Sequence, residues 1–312
     1  MPRIVRRTAL AGPLLALGLT GSASAQTITV FPTPNQPSFP FSIISGPDSN
    51  IWFMETFLSR IGRITPAGVI TEFNTGALGA GDLTVGPDGN FWFLHQNGVG
   101  RMTTGGAVTL FPTPTLPDGG LITAGPDGNL WFTENGGNRI GRVTPSGQMT
   151  EFVLPRPVSQ PLGITAGPDG NIWFTERRYP SIGRITPAGV ITEFPIPGFG
   201  YQVIAGPDGN LWYSVEEIVR ITSVSTAGAV VQHFSPPVKA RPQGLTLGAD
   251  GVVWFASTQA NWVGRIEPTG FVSPYAVPRP HAGIREIVRG PDGSIWFTMQ
   301  NVSSIGRLQG VD

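Results

Sequence analysis

The sequence contains no cysteine, and only three of its 312 residues are histidine. The missing thiols exclude disulfide bonds, a cysteine nucleophile and cysteine-ligated metals. Charged residues make up only 13% of the chain and the formal net charge is zero. Such a surface does not attract nucleic acid or an anionic membrane, so neither is an expected partner. No GxSxG, HExxH, P-loop or GxGxxG motif is present either.

The first 25 residues have the composition of an export signal. The signal comprises a basic segment, a mostly apolar run and a small-residue cleavage site, at Arg3 to Arg7, Ala9 to Thr20 and Ala23 to Ala25. The apolar run is too short to span a bilayer comfortably. We therefore expect a signal peptide at 1–25, a mature domain at 26–312, and a secreted or periplasmic protein without a membrane partner after cleavage. The adjacent arginines leave the general and the twin-arginine export routes open.

What the sequence does contain is seven near-copies of one phrase, clearest at Gly167–Glu176. A glycine opens each copy, at Gly46, Gly86, Gly125, Gly167, Gly206, Gly248 and Gly290. A tryptophan follows six residues later, at Trp52, Trp92, Trp131, Trp173, Trp212, Trp254 and Trp296. The copies lie 39 to 42 residues apart, which is the period of a β-propeller blade.

Each unit has the pattern of four short antiparallel strands. In the unit from Pro161 to Pro195, strands are predicted at 162–166, 172–176, 182–186 and 190–194. The Asp-Gly pair between the first two is a strong hairpin signal, because glycine accepts the positive φ that the turn needs. Four such strands in about 40 residues are typical of a propeller blade.

The two ends of the chain complement each other. The last unit stops after its third strand, Ile305–Leu308, whereas Thr27–Pro32 matches the fourth-strand motif at Ile191–Pro195. The N-terminal strand is therefore predicted to complete the last blade, which removes an exposed sheet edge. The fold prediction is an all-β, seven-bladed β-propeller, four antiparallel strands per blade, and a monomer.

Seven copies of one residue type at one position indicate architecture, so function is expected where the repeat departs from its own rule. One such position lies five residues before each repeat glycine and holds Phe41, Gly81, Gly120, Leu162, Tyr201, Gln243 and Arg285. Asp82, Gln202 and Glu286 stand beside it. In a propeller this position reaches the mouth of the central channel. It indicates either a binding surface for a small molecule or peptide, or tolerant loop tips.

A second variable position lies three residues after each tryptophan. Four consecutive units carry Glu55, His95, Glu134 and Glu176 there, residue types that ligate metals or transfer protons. Arginines follow the three glutamates by eight residues, at Arg63, Arg142 and Arg184. Cross-strand ion pairs are therefore the favoured interpretation, and a metal site is the alternative. A third feature is His281, in a long loop that we expect at the channel mouth.

The repeated phrase Gly-Pro-Asp-Gly-Asn-(Ile/Leu)-Trp-Phe-Thr-Glu, followed by Ile-Gly-Arg-Ile-Thr-Pro and Ile-Thr-Glu-Phe-Pro, resembles the virginiamycin B lyase (streptogramin lyase) family. The resemblance covers the whole mature chain. It implies a seven-bladed propeller and a carbon–oxygen lyase that opens a cyclic depsipeptide at its ester by elimination. A histidine of the seventh blade would remove a proton, and a magnesium ion held partly by glutamate would polarise the ester.

The positions that the resemblance implies carry other residues here. The histidine position is Arg285, with Pro280-His281 four residues earlier, and one metal-ligand glutamate is Gln300. The other falls on Arg279 or Gly283, so the magnesium ligands are not retained. A substrate-binding histidine and tyrosine match Gln243 and Phe41. The candidate catalytic residues are thus His281 (a displaced base), Arg285 and Glu286, and the candidate substrate-binding residues are Phe41, Asp82, Tyr201, Gln243 and Gln300.

Three functions stay open on this evidence. The first is a lyase with a rearranged site around His281. The second is a propeller that binds a ligand or a protein without catalysis. The third is a metal-dependent lactonase-type hydrolase that uses Glu55, His95, Glu134 and Glu176.

Overall fold

The computed structural model describes residues 26–79, 81–236, 240–267 and 269–311, so the predicted signal peptide lies outside the described residues. The described chain forms seven four-stranded antiparallel sheets, and the predicted seven-bladed β-propeller is confirmed. The first strand of each blade lines the channel and the fourth lies outermost. Among the residues described, no helix is long and apolar enough to cross a bilayer.

Strand labels follow chain order. The first blade consists of β2 (Pro40–Ser45), β3 (Ile51–Glu55), β4 (Arg60–Ile64) and β5 (Ile70–Asn74). The second consists of β6 (Leu83–Val85), β7 (Phe91–His95), β8 (Gly98–Met102) and β9 (Val108–Pro112). The third consists of β10 (Ile122–Ala124), β11 (Leu130–Glu134), β12 (Arg139–Val143) and β13 (Met149–Val153). The fourth consists of β14 (Pro161–Ala166), β15 (Ile172–Glu176), β16 (Ser181–Ile185) and β17 (Ile191–Pro195).

The remaining blades follow the same plan. The fifth consists of β18 (Gly200–Ala205), β19 (Leu211–Val215), β20 (Arg220–Val224) and β21 (Val230–Phe234). The sixth consists of β22 (Pro242–Leu247), β23 (Val253–Ser257), β24 (Trp262–Ile266) and β25 (Val272–Ala276). The seventh consists of β26 (Ile284–Arg289), β27 (Ile295–Met299), a 3₁₀ turn (Gln300–Val302), β28 (Ser304–Gln309) and β1 (Thr27–Pro32).

The N-terminal strand closes the ring as predicted. β1 pairs with β28 along its whole length, from Thr27 opposite Gln309 to Pro32 opposite Ser304. Phe31 also stacks on the ring of Trp296, with ring centroids 5.7 Å apart. Phe73 stacks in the same way on Trp52 in the first blade, at 5.3 Å. The N-terminal strand β1 thus makes both the strand pairing and the aromatic contact that the fourth strand makes in the other blades.

The repeat tryptophans form the core between blades, as predicted. Trp52 is fully buried and its ring lies 4.2 Å from that of Phe91 in the next blade. Its indole Nε1 donates a hydrogen bond of 2.9 Å to Asp48 in the preceding turn. The repeat glycine is needed beside it, because a Cβ at Gly46 would lie 2.4 Å from the indole Cδ1. The repeated phrase is therefore a single packing unit.

The predicted ion pairs between second-strand glutamates and the arginines eight residues later are wrong. In the first blade, the hairpin register places Arg63 opposite Trp52, and Glu55 opposite Arg60. The Arg63 guanidinium lies 5.7 Å from the ring centroids of both Trp52 and Phe73, a cation–π arrangement. Arg142 and Arg184 take the equivalent place over Trp131 and Trp173, at 5.4 and 5.8 Å.

We predict that Phe31→Ala lowers the free energy of unfolding by about 2–4 kcal/mol, because it removes a partly buried ring from the strand that closes the propeller. Urea unfolding followed by tryptophan fluorescence measures the loss. Phe271→Ala is the matched control, because that ring is 67% exposed. Equal stability of the two variants would contradict the role given to Phe31.

Candidate functional site

The variable residues at the channel mouth lie in β-bulges. In the first blade, Pro40 pairs with Glu55 and Ile43 pairs with Phe53, so Phe41 and Ser42 together oppose one residue. The same shift occurs in the fourth, fifth, sixth and seventh blades, at Leu162-Gly163, Tyr201-Gln202, Gln243-Gly244 and Arg285-Glu286. Bulges reorient side chains while the ladder continues on either side. The register also places the start of each of these first strands opposite the end of the second strand, as Pro40 stands opposite Glu55, so both lie at the same face.

Hydroxyl groups of the second strands fix these bulges to the neighbouring blade. Thr175 Oγ1 donates to the carbonyl of Tyr201, at 3.0 Å, and Ser214 Oγ donates to the carbonyl of Gln243, at 2.7 Å. Thr298 Oγ1 donates to the carbonyl of Phe41, at 3.1 Å. Each bond joins one blade to the next at the height of the mouth. The candidate site is thus held by buried inter-blade hydrogen bonds.

Arg285 forms a cationic cluster with two aromatic residues at the mouth. Its Nη2 donates a hydrogen bond of 2.9 Å to the Tyr201 hydroxyl. Its guanidinium lies 4.8 Å from the Phe41 ring centroid and 5.9 Å from that of Tyr201. Burial raises the pKa of Tyr201 to about 12, although the Arg285 charge opposes that rise. Tyr201 therefore stays a neutral phenol, and the cluster keeps one fixed positive charge.

Glu286 and Asp82 lie within the channel wall. Glu286 is buried, and its Oε2 accepts a hydrogen bond of 3.0 Å from Gln202 Nε2. Burial, and then the Asp82 charge, raise the pKa of Glu286 to about 8, against opposing effects of Arg285 and Gln202. Burial raises the pKa of Asp82 to about 6, although Asp82 Oδ2 accepts a 2.8 Å bond from the Ile122 amide. Glu286 is therefore largely protonated near neutral pH.

The contacts of Arg285 and Glu286 join the seventh blade to the fifth and pass over the sixth. Gly244 of the sixth blade leaves the necessary room, because a Cβ there would lie 2.8 Å from Glu286 Oε2. Gln243, its neighbour, is also occupied within the protein: its amide donates to the Glu216 carboxylate, which Arg241 contacts at 3.0 Å. The Gln243 side chain thus holds the wall of the channel mouth together.

His281 lies apart from these groups. It is exposed, in the loop between β25 and β26, with a φ of 54°. Its carbonyl accepts a 3.2 Å hydrogen bond from Asn301 Nδ2, but its imidazole makes no hydrogen bond or ion pair with any described residue. Gln300 begins the 3₁₀ turn beside it, and the Gln300 backbone N–H donates to the Gly283 carbonyl at 3.1 Å. The structure brings Arg285, Phe41 and Tyr201 together, and leaves His281 outside.

The second-strand glutamates face other glutamates. Glu55 lies beside Glu72 of its own blade and Glu134 lies beside Glu151, as Glu176 lies beside Glu193. Burial, then the neighbouring carboxylate, raise the pKa of Glu55 to about 7 and that of Glu134 to about 8. Arg60 binds Glu72 at 2.6 Å. Over the described ranges, no group of three or more His, Asp or Glu side chains is placed to hold a metal ion.

The residues at the implied magnesium positions do not fit that ion. Gln300 supplies one neutral oxygen where a carboxylate is implied, and the other implied ligand falls on Arg279 or Gly283, neither of which has a carboxylate. Magnesium sites in proteins use carboxylate oxygens to offset the charge of the ion. The nearby carboxyl of Glu286 is buried and bonded to Gln202 inside the channel.

A cleft of about 870 Å³ opens on this face over the first three blades. Its lining includes Phe41, His95 and Gln300, which were candidate site residues, and Gly81 and Gly120, which belong to the same variable position as Phe41 but were not candidates. The sequence did contain a sign of the cleft, because Gly81 and Gly120, in two neighbouring blades, stand at a repeat position where the other blades carry larger side chains. Phe41 is shared between the cleft and the Arg285 cluster.

His95 closes one wall of the cleft as a neutral imidazole. Burial lowers its pKa, and an interaction with the Val99 backbone partly opposes that effect. Its Nδ1 accepts a hydrogen bond of 3.2 Å from the Asn97 amide, so the proton is on Nε2. That Nε2 is buried and has no hydrogen-bond partner among the described residues.

Comparisons with known proteins agree with the fold and its repeats. The model of the virginiamycin B lyase family matches residues 21–120 and 82–311. A virginiamycin B lyase from Nocardia farcinica is 30% identical over 151 residues, 48% of this chain and 51% of that protein, so the match spans about half of the relative's length.

Solved structures match nearly the whole chain, and two of them are lyases. A streptogramin B lyase structure has a TM-score of 0.86 and 33% identity, over 91% of this chain and 97% of that one. A catalytically inactive virginiamycin B lyase from Staphylococcus aureus, solved with quinupristin, has a TM-score of 0.85 and 34% identity, over 91% and 99%. At 33% and 34% identity, the two proteins resemble this chain in sequence as well as in fold.

We predict that the free energy of unfolding falls as pH rises from about 4 to about 8. Glu286 binds its proton more tightly in the folded state than in the unfolded state, where a glutamate pKa is about 4.3. The stabilisation that the bound proton of Glu286 contributes is therefore fully present below about pH 4.3 and is lost as pH rises through about 8. Glu286→Gln keeps the neutral form at every pH and should flatten the slope.

Urea unfolding at several pH values measures this slope. Glu217→Gln is the control, since Glu217 is an exposed glutamate in the loop after β19. Equal slopes for Glu286→Gln and the unmodified protein would contradict the assignment of the buried proton to Glu286.

Proposed function

The chain belongs to the virginiamycin B lyase family, and we propose that it binds a peptide-like ligand at its channel mouth without the family's elimination chemistry. The observation that carries this proposal is Arg285, in the position that the resemblance assigns to the catalytic base. A general base must accept a proton from the substrate, whereas a guanidinium stays protonated at any accessible pH. Arg285 therefore cannot take over the role of that base.

The same cluster supports binding. The Arg285 guanidinium has one hydrogen bond to Tyr201 and lies against the ring of Phe41, so its geometry is set before a ligand arrives. A preorganised guanidinium binds carbonyl or carboxylate oxygens with little further loss of side-chain freedom. The aromatic rings beside it offer contact area for apolar groups of the ligand.

A second candidate function is a carbon–oxygen lyase that uses His281. The observation that favours it is the 33–34% identity with structures of streptogramin B and virginiamycin B lyases over 91% of this chain. In this reaction, His281 would accept a proton from the carbon next to the ester-bearing carbon. The carbon–oxygen bond would break, leaving an alkene and a carboxylate without water. The loop that carries His281 would have to bring its exposed imidazole to the mouth.

One experiment separates the two candidates. Purified protein is incubated with quinupristin and Mg²⁺, and the ligand is followed by mass spectrometry and by calorimetric titration. We expect intact quinupristin and a saturable binding signal, weakened at least about tenfold in Arg285→Ala, since truncating an arginine that anchors a ligand commonly costs more than about 1–2 kcal/mol. Arg279→Ala is the control, because Arg279 is exposed in the neighbouring loop.

Two outcomes would overturn the proposal. Ring-opening of quinupristin that disappears in His281→Ala would establish the lyase instead. An absence of binding, or binding that Arg285→Ala leaves unchanged, would remove the channel mouth as the binding site.

A further inference from the structure

Glutamates at the ends of the second strands occur together with a glutamate on the fourth strand of the same blade. The three pairs are Glu55 with Glu72, Glu134 with Glu151 and Glu176 with Glu193. The other four blades have glutamate at neither position: they carry His95 with Leu110, Val215 with His233, Ser257 with Pro274 and Met299 with Val30. This joint occurrence indicates that the two glutamates of a blade act as a unit.

In the first blade, two carboxyl groups share one arginine. Glu55 has no exposed surface, and its oxygens have no hydrogen-bond partner of normal geometry among the described residues. Arg60 stands opposite Glu55 in the strand ladder, and Arg60 Nη1 lies 2.6 Å from Glu72 Oε2. One guanidinium offsets one negative charge. Two ionised carboxylates would therefore leave one charge uncompensated in the interior of the blade.

The third blade repeats this arrangement. Arg139 stands opposite Glu134, and Arg139 Nε lies 3.4 Å from Glu151 Oε2. Glu134 is fully buried and no described donor reaches either of its oxygens, yet its carboxyl is in hydrogen-bonding contact with that of Glu151. Ionised carboxylates only accept hydrogen bonds, so two carboxyls can form one with each other only when one of them carries a proton.

The fourth blade reaches the same composition with different residues. Its third strand begins with Ser181, where the first and third blades have arginine. The guanidinium comes instead from the loop before the blade, and Arg156 Nε lies 3.0 Å from Glu193 Oε2. Ser181 Oγ donates a hydrogen bond to the fully buried Glu176, whose carboxyl is also in hydrogen-bonding contact with that of Glu193. Two carboxyls again face one guanidinium.

The fourth-strand glutamates also hold the loops that lead into their blades at the channel mouth. Their partners in these loops are Asn35 between β1 and β2, Thr115 between β9 and β10, and Arg156 between β13 and β14. The Thr115 contact is double, because its backbone N–H and its hydroxyl donate to Glu151 at 2.8 and 3.0 Å. The charge state of a pair is therefore felt directly by a loop of the mouth.

We propose that each glutamate pair binds one shared proton, and that the three protons hold the inter-blade loops in place at the channel mouth. With the proton bound, one carboxyl is neutral and the arginine balances the other. When the proton passes to solvent, two carboxylates repel each other beside a single cation. The fourth-strand glutamate is then driven away from the buried one, and its loop loosens. This dependence on pH goes beyond the proposed function.

Burial supports this assignment of the protons. Burial also raises the pKa of Glu176, with Ser181 and Arg156 opposing the rise and Glu193 adding to it. The charged groups of the described chain that act on the three buried carboxyls belong to their own pairs: Glu72 and Arg60, Glu151 and Arg139, and Glu193 and Arg156.

The direction of the pH dependence follows from these pKa values. An unfolded glutamate has a pKa of about 4.3, so the folded state binds the shared proton more tightly. The stabilisation is fully present below about pH 4.3. It is lost as pH rises through about 7 for Glu55 and about 8 for Glu134.

The first experiment counts protons in the third blade by urea unfolding at several values between about pH 5 and pH 7. Each proton held only by the folded state makes the unfolding constant rise about tenfold per pH unit. Glu134→Gln should remove one such factor of about ten. Glu151→Gln should do the same, because it leaves one carboxyl with Arg139. The double variant should remove no more than either single variant, since the pair shares one proton.

Glu216→Gln is the matched control. Glu216 is also a buried glutamate, but its partners are Arg241 at 3.0 Å and the Gln243 side-chain amide rather than a second carboxyl. This variant should be less stable than the unmodified protein and should keep the same dependence on pH. Loss of a buried hydrogen bond is thereby distinguished from loss of a bound proton.

The second experiment follows the loop between β9 and β10 by hydrogen exchange and mass spectrometry. At about pH 9, one unit above the pKa of Glu134, this loop should exchange up to about tenfold faster in the unmodified protein than in Glu134→Gln. At about pH 5 the two proteins should exchange alike, because the pair is then protonated. The loop between β17 and β18 is the internal control, since its blade has no glutamate pair.

Four results would each overturn the proposal. Unchanged pH dependence in Glu134→Gln would show that no proton is bound. Unchanged dependence in Glu151→Gln alone would assign the proton to Glu134 without sharing. A double variant that loses two protons would make the two carboxyls independent. Equal exchange of the loop at about pH 9 in the unmodified protein and in Glu134→Gln would separate the proton from the loop.

Discussion

The hydrogen bond from a repeat tryptophan to the aspartate of its own turn, made in six of the seven blades, is the interaction on which the rest of the structure depends. In the fourth blade, Trp173 Nε1 donates to Asp169 at 3.0 Å. The bond satisfies the only polar atom of a fully buried indole, so the ring can fill the space between blades without an unpaired donor. Phe194 stacks on one side of this ring, at 5.5 Å. Turn, core and outer strand are thus specified by one short phrase.

This arrangement separates the frame from the site. The tryptophans lie between blades and their aspartates lie in the turns opposite the mouth, whereas Arg285 and Phe41 lie in bulges at the mouth. Buried hydroxyl groups such as that of Thr175 bind the bulges at the mouth to the neighbouring blade. Rigid strands therefore carry the Arg285 cluster, which suits a binding site that is formed in advance of its ligand.

The fold followed from the sequence because its signals are local and repeated: the Asp-Gly turns, the period, and the match between Thr27–Pro32 and a fourth strand. The ion pairs did not follow, because only the hairpin register decides that Arg63 stands opposite Trp52 rather than Glu55. The residues at the channel mouth could be predicted because their position is the one that varies between repeats. Its bulges and the contact between Arg285 and Tyr201, two blades apart, depend on ring geometry that no local pattern contains.

The bulges also bear on how such a protein can diversify. Two residues oppose one at each bulge, so side chains such as Phe41 and Arg285 are released from the strict alternation that the rest of the strand obeys. Exchanging them leaves the ladder, the tryptophan core and the closure by β1 intact. Substitutions at the mouth therefore need not affect folding. One propeller of a family can acquire a new ligand while related propellers keep theirs.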